Sequence, residues 1–280
     1  MSRGLFCGSS LFLWCEPSTV FTHFTNWTRV MSQIAATAQI GENTILGAFC
    51  VLGESVTIGS DTVIGNHVII HDGSIIGNGV RIDDHTVIGK RPMKAANSAV
   101  TSETDLSPAT IGDRCLIGTG VVIYAGSSIE ESVLVADLAT VREDVQIGEQ
   151  TIVGRGVAIE NKCRIGRYCK LETNVYITAY SLIEDYVFLA PGVLTSNDNF
   201  MGRTEERFKH FKGVTVRRGG RLGVGSVILP GREIGSDSVV AGGSVVTKDT
   251  ESRQIVAGTP ARYFGDVLEE QLLERQNWFD

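Results

Sequence analysis

From Ile34 onward the hydrophobic positions of this chain fall on a six-residue grid. An aliphatic residue returns at Ile34, Ile40, Leu46, Leu52, Ile58, Ile64, Ile70, Ile76, Ile82 and Ile88. The grid resumes at Ile111, runs without a slip through Ile123, Val141, Ile159, Leu171, Ile177 and Leu189 to a last start at Thr195, and reappears at Leu222, Ile228, Ile234, Val240 and Val246. A helix repeats near every 3.6 residues and a plain strand every second residue, so neither gives this interval. The fifth residue of a unit is small or β-branched, as at Thr44, Val56, Thr62, Ser127, Thr151 and Ser244, and the second is often glycine, as at Gly59, Gly65 and Gly148. Each unit therefore predicts a short strand that turns one aliphatic side chain inward, followed by a tight corner that small side chains fit. Three such strands close one coil, and parallel coils stack about 4.8 Å apart. The ten, fifteen and five units predict ten coils of an all-β parallel helix, a prism roughly 50 Å long.

Two breaks interrupt the grid, over residues 89–110 and 196–213, and are expected to project as loops from corners of a rigid scaffold, where binding residues tend to sit. Residues 1–33 lie outside the pattern. They are rich in Phe and Trp, make a poor secretory signal because Glu16-Pro17 interrupts the apolar stretch, and read as an extension upstream of a native start at Met31, with a packed cap over the first coil as the alternative. The repeat domain spans 34–262. Residues 263–280 predict a short helix, with Asp266 and Glu269 as its capping pair and Leu268, Leu272 and Leu273 as its apolar face.

Composition narrows the setting. No apolar run reaches 18 residues, so the positive mean hydropathy of +0.09 belongs to the prism interior and no membrane span is expected. Cys50, Cys115, Cys163 and Cys169 stand at the small fifth position and read as core filler, which favours a reduced, cytoplasmic compartment over disulfides. A net charge of −7 argues against nucleic acid as a partner. Against that background Arg203, Arg207, Lys209, Lys212, Arg217, Arg218 and Arg221 stand close together, a local surplus suited to a phosphate-bearing small ligand. His67 and His85 read as corner residues and no metal-ligand spacing is evident, so no metal site is expected.

The grid resembles that of the hexapeptide-repeat acyltransferases, which implies a left-handed parallel β-helix; the handedness comes from the resemblance alone. The stretches Lys170-Leu171-Glu172-Thr173-Asn174-Val175-Tyr176 and Val187-Phe188-Leu189-Ala190-Pro191-Gly192, with the second break from Thr195 to Gly213, are similar to N-acetyltransferases acting on nucleotide-linked amino sugars, in particular dTDP-3-amino-3,6-dideoxyhexoses. The resemblance implies acetyl-CoA as donor, a nucleotide-sugar acceptor, no metal, and a homotrimer with sites between adjacent prisms. It also implies that Gly242, Gly243 and Lys248 line the coenzyme path, with Arg262 near its nucleotide, and that Asn174 holds the amine or a water beside it. The plain reading of Asn174 is a corner residue tolerating a left-handed turn.

For the remaining roles the residues offer candidates. Asp198 accepts a proton or orients the sugar, Arg203 and Arg207 meet the diphosphate, and Asn197, Tyr176 and Tyr180 contact sugar or base, against plain readings as loop or corner residues. Many hexapeptide acyltransferases place a histidine base in the loop that here reads Ser196-Asn197-Asp198-Asn199, and no histidine follows until His210. An amine can shed its proton before attack, whereas a hydroxyl generally needs a base, so the missing histidine favours N-acylation. O-acylation of serine or a UDP-sugar, a non-catalytic scaffold and a carbonic anhydrase-like metalloprotein are the competing readings.

Overall fold

The computed structural model describes residues 31–96, 98 and 105–276. Each six-residue unit forms a strand of about two residues, and the strands collect into three parallel sheets that form the faces of a prism. Face I holds eleven strands, from Gln33–Ile34 to Val245–Val246, and face II holds ten, from Gln39–Ile40 to Glu233–Ile234. Face III holds twelve and begins at Ile45–Leu46. Within a face, residues 18 apart stand in register, as Ile123 does with Val141. The register survives both breaks: Ile88 pairs with Ile123, and Thr195 with Ile228. The fold is the all-β, left-handed parallel β-helix that the grid and the resemblance imply. Its coil count agrees with the grid, and Thr215–Val216 and Gln254–Ala257 add rungs outside the counted series.

The inward residues make one continuous core, with Ile58, Ile76, Ile111, Ile147, Leu171 and Ile228 almost wholly buried. At the corners the fourth residue of a unit takes a positive φ, 56° at Asp61, 59° at Asn174 and 55° at Asp237. That conformation costs an ordinary residue roughly 1–2 kcal/mol, and the corner offsets it with hydrogen bonds between coils. The amide of Asn174 donates to the carbonyl of Arg155 at 3.0 Å, and the carboxylate of Asp185 accepts from the amide of Arg167 at 3.0 Å. The small fifth residues also bond. Thr86 and Thr151 donate to the carbonyls of Gly118 and Gly166 in the next coil at 2.7 and 2.8 Å, and the thiols of Cys163 and Cys169 make the same contact to Thr178 and Glu184 at 3.1 Å. The four cysteines expected as core filler are all buried, and burial pushes the thiols of Cys163 and Cys169 up to about 12.

The C-terminal expectation is corrected, because residues 263–276 are not an α-helix. Arg262–Asp266 runs antiparallel to Gln254–Ala257 and pairs its edge, after which Glu269–Gln271 and Leu273–Arg275 form two single 3₁₀ turns. Pairing an open strand edge satisfies backbone groups that a helix there would leave bare. Leu272 and Leu273 are buried as their apolar character suggests, whereas Leu268 is exposed. Arg232, a misfit at a small position, points outward, donates to the carbonyl of Pro230 and pairs with Asp249. The extension expected before Met31 lies outside the described residues.

Candidate active site

Both breaks leave the prism after a face I strand and rejoin it at a face II strand: Val87–Lys90 to Thr110–Ile111, and Leu194–Thr195 to Thr215–Val216. They project from one edge, I–II, five coil steps or about 24 Å apart.

The second loop is built around Asp198. Its carboxylate accepts from the amides of Phe200 at 2.8 Å and Gly202 at 2.9 Å, and meets the Arg207 guanidinium at 3.4 Å. Arg207 sits in the 3₁₀ turn Glu205–Lys209 and lies over the rings of Phe208 and Phe211. Desolvation works to raise the Asp198 carboxyl, but the two amides and Arg207 outweigh it and hold the group below the ordinary carboxylate range. Such a carboxylate orients neighbours well and accepts protons poorly.

Beneath the loop is a pocket of about 200 Å³ lined by Glu160, Tyr176, Thr178, Ala179, Asn197, Asp198, Arg207 and Phe211. Four of the residues singled out from sequence therefore meet here: Tyr176, Asn197, Asp198 and Arg207. Arg203 is exposed on the same loop, and Tyr180 stands at edge I–II with the Lys162 ammonium 5.7 Å from its ring. His210 does not line the pocket; its ring pairs with Glu206 at 3.1 Å. Glu160, not singled out from the sequence, stands at the second position of its unit, just after the inward Ile159. Burial pushes its carboxyl up, Arg142 pulls it down and Glu143 pushes it up again, leaving it above the ordinary range. Tyr176 is likewise raised, by burial and then by Glu160.

Asn174 is elsewhere. It occupies edge III–I, at the other margin of face I, with a left-handed corner φ of 59°. The corners stacked above it are Gly192, Gly225 and Gly243, all of positive φ, and no atom lies within 4 Å of where a Cβ on any of them would stand. This leaves a bare, smooth edge that a long thin chain can follow. Gly242 and Gly243 belong to this edge, whereas Lys248 follows the last face I strand toward edge I–II and Arg262 opens the antiparallel strand on face III. The turn from Gly258 to Ala261 that leads into Arg262 is bonded to the rung after Gly243, the amide of Ala261 donating to the carbonyl of Val245 at 2.8 Å.

A larger open trough of about 620 Å³ lies on face II, where Gly148 and Gly166 leave the outward surface low between Glu130 and Glu184. Its arginines are already engaged: Arg167 with Asp185 and Glu149, Arg164 with the carbonyls of Asp144 and Cys163. The smaller pocket, with a covering loop and a half-buried carboxylate, has the stronger chemistry. Among the described residues no three potential metal ligands gather, and no helix is long and apolar enough to cross a membrane.

Three family models match the chain: bacterial transferase hexapeptide (six repeats) over residues 37–72, GlmU-like C-terminal hexapeptide over 89–178, and hexapeptide repeat of succinyl-transferase over 218–248. Together they cover more than half of the sequence. The chain belongs to the hexapeptide-repeat transferases. Among curated relatives, a 2,3,4,5-tetrahydropyridine-2,6-dicarboxylate N-acetyltransferase of Clostridium perfringens is 49% identical over 49 residues, 18% of this chain. The match spans about a fifth (21%) of that relative's length. Among solved structures, the UDP-N-acetylglucosamine acyltransferases of Bacteroides fragilis and Arabidopsis superpose on this hexapeptide-repeat protein with a TM-score of 0.53 each, at 23% and 17% identity. These alignments cover 84% and 85% of this chain and 73% and 74% of theirs, and at that identity they bear on the fold alone.

Proposed function

We propose that this hexapeptide-repeat transferase is an acetyl-CoA-dependent N-acetyltransferase whose acceptor is the amino group of a nucleotide-linked sugar, a dTDP-linked 3-amino-3,6-dideoxyhexose in the reading that the second loop favours. The observation that carries it is the pocket under that loop. Its polar lining is carboxylate, hydroxyl, amide and guanidinium, and none of the described histidines lines it. An amine arrives as an ammonium ion, which Glu160 receives and relieves of a proton. The free amine then bonds to the thioester carbonyl carbon, the carbon–sulfur bond breaks, and the coenzyme leaves as a thiol that has taken up a proton. A hydroxyl acceptor would need a stronger base than this pocket holds.

Asp198 is the loop's organiser in this reading, keeping Arg207 over the pocket, and Arg203 on the same loop meets the diphosphate. Asn197 and Tyr176 contact the sugar, with Tyr180 at the rim. Gly242 and Gly243 supply the smooth edge along which the pantetheine arm lies, Asn174 stands at its lower end beside the thioester, and Lys248 and Arg262 serve the nucleotide portion. A pocket of about 200 Å³ is small for a nucleotide sugar, and Asn174 lies across face I from it. The site is accordingly completed by a second copy: the loop edge of one prism meets the glycine edge of its neighbour in a homotrimer, with three sites.

The test is release of free thiol from acetyl-CoA with each acceptor supplied alone: dTDP-3-amino-3,6-dideoxyhexoses, dTDP-4-amino sugars, UDP-amino sugars, serine, and the cyclic dicarboxylate of the Clostridium relative. Turnover with a 3-amino dTDP sugar is the expected result. Turnover only with a hydroxyl acceptor overturns the N-acyl reading, and turnover only with the cyclic dicarboxylate keeps N-acylation but removes the sugar. Asn174→Ala is expected to lower kcat about tenfold or more with the amine acceptor, and unchanged turnover takes Asn174 out of the mechanism.

A further inference from the structure

Between the two loops, edge I–II carries a row of charged side chains. The Lys90 ammonium lies 4.8 Å from the centre of the Tyr124 ring and the Arg142 guanidinium 5.0 Å from it. Arg142 forks onto Glu143, with Nε–Oε2 at 2.8 Å and Nη2–Oε1 at 3.1 Å, and brings Nη1 to 3.4 Å from Oε2 of Glu160. The Glu143 side chain is only 5% exposed and that of Arg142 21%. Burying a carboxylate this deeply is unfavourable unless it is paired. Ala125 fills the same position one coil below and Ala179 two coils above, while Asn161, buried like Glu143, stands between them, so buried polar side chains at this corner are confined to the coils that carry Arg142 and Glu160. The pair therefore serves something beyond the turn, and the group it reaches is the pocket carboxylate.

We propose that Arg142 and Glu143 form a positioning pair for Glu160: Glu143 fixes the guanidinium, and the guanidinium holds the Glu160 carboxylate ionised and turned into the pocket to receive the acceptor's ammonium. The proposal rests on the N-acyltransferase reading for the identity of the ammonium, and on the geometry alone for the coupling. Among the described residues the groups that face Glu160 are few. Arg142 and Glu143 lie on the coil below and Tyr176 and Thr178 on the coil above. Cys163 lies inside, Asp198 and Arg207 are on the loop, and Lys162 on the same corner leans toward Tyr180.

The two members of the pair act on Glu160 with opposite sign, which makes the proposal testable. Removing the cation in Arg142→Met leaves Glu160 facing a second carboxylate, so its protonation moves to higher pH, by about one unit. Neutralising the repelling group in Glu143→Gln moves it to lower pH, and Arg142→Lys restores most of the native position. The measurement is a ¹³C carboxylate titration by NMR, with Glu160→Gln assigning the signal, beside the acid limb of the kcat/KM profile. Opposite displacements in the two variants are expected in both readouts. A Glu160 titration unmoved by either substitution in folded protein overturns the proposal. Should Arg142→Met fail to fold, Glu143→Gln, which keeps the side-chain volume, decides alone: a downward shift supports the pair and a fixed titration overturns it. If the titration moves as stated while wild-type protein acylates no amine, the catalytic reading fails and the positioning pair stands.

Discussion

Residue by residue, the corners decide what this fold tolerates. A buried thiol at the fifth position bonds to a carbonyl one coil away, and its thiolate is disfavoured by burial, so it reacts only after the coil opens. Cys50, Cys115, Cys163 and Cys169 are accordingly expected to resist iodoacetamide at pH 8 in native protein and to label fully in guanidinium chloride, as peptide mapping by mass spectrometry would read. The Asp198 carboxylate works at the same scale in the loop. Its folded-state value lies below its unfolded value, so its contribution to loop order is complete above the ordinary carboxylate value of about 4 and is lost as pH falls through the folded value. Limited proteolysis between Asn197 and Lys212 should thus accelerate on acidification, and Asp198→Asn should accelerate it already at neutral pH; equal cleavage of the two proteins would show that the carboxylate does not hold the loop.

At the level of the strand, one side chain per unit does most of the packing. Ile159 is fully buried in the rung that precedes Glu160. Truncation to alanine is expected to cost about 2–5 kcal/mol, read as a drop in denaturation midpoint. In a stacked solenoid each coil contacts mainly its neighbours, so in this variant hydrogen exchange should quicken first in the adjoining face I rungs, those of Val141 and Ile177, and not at the ends of the prism. This scale also shows why so much was legible in advance. A six-residue recurrence announces both the strand and its inward residue, and breaks in phase announce loops, so faces, corners and both insertions follow from spacing. The closing strand Arg262–Asp266 carries no such mark: it pairs with an edge from outside the core, and its residues are mostly exposed. Glu160 was hidden for a related reason. Its partner is Arg142, 18 residues before it, and it shares the pocket with loop residues such as Asp198, and neither relation shows as periodicity.

On the scale of the whole molecule, the question is how two edges of one prism serve one reaction. If the loop edge and the glycine edge of different copies meet, two inactive chains should complement each other. Co-expressed Asn174→Ala and Asp198→Ala proteins are then expected to regain about a quarter of wild-type sites in randomly mixed trimers, whereas chains with self-contained sites regain none; analytical ultracentrifugation of each variant gives the assembly state independently. The placement of the loops carries one more consequence. Because both leave from the same edge, the distance between them is counted in whole coils, and the chain between is a ruler graduated every 18 residues. Removing one graduation that spares Arg142 and Glu143, for example residues 112–129, would bring the loops nearer by about 4.8 Å without turning either away from its edge. The spacing of the two loops can therefore be retuned in fixed increments by adding or deleting coils.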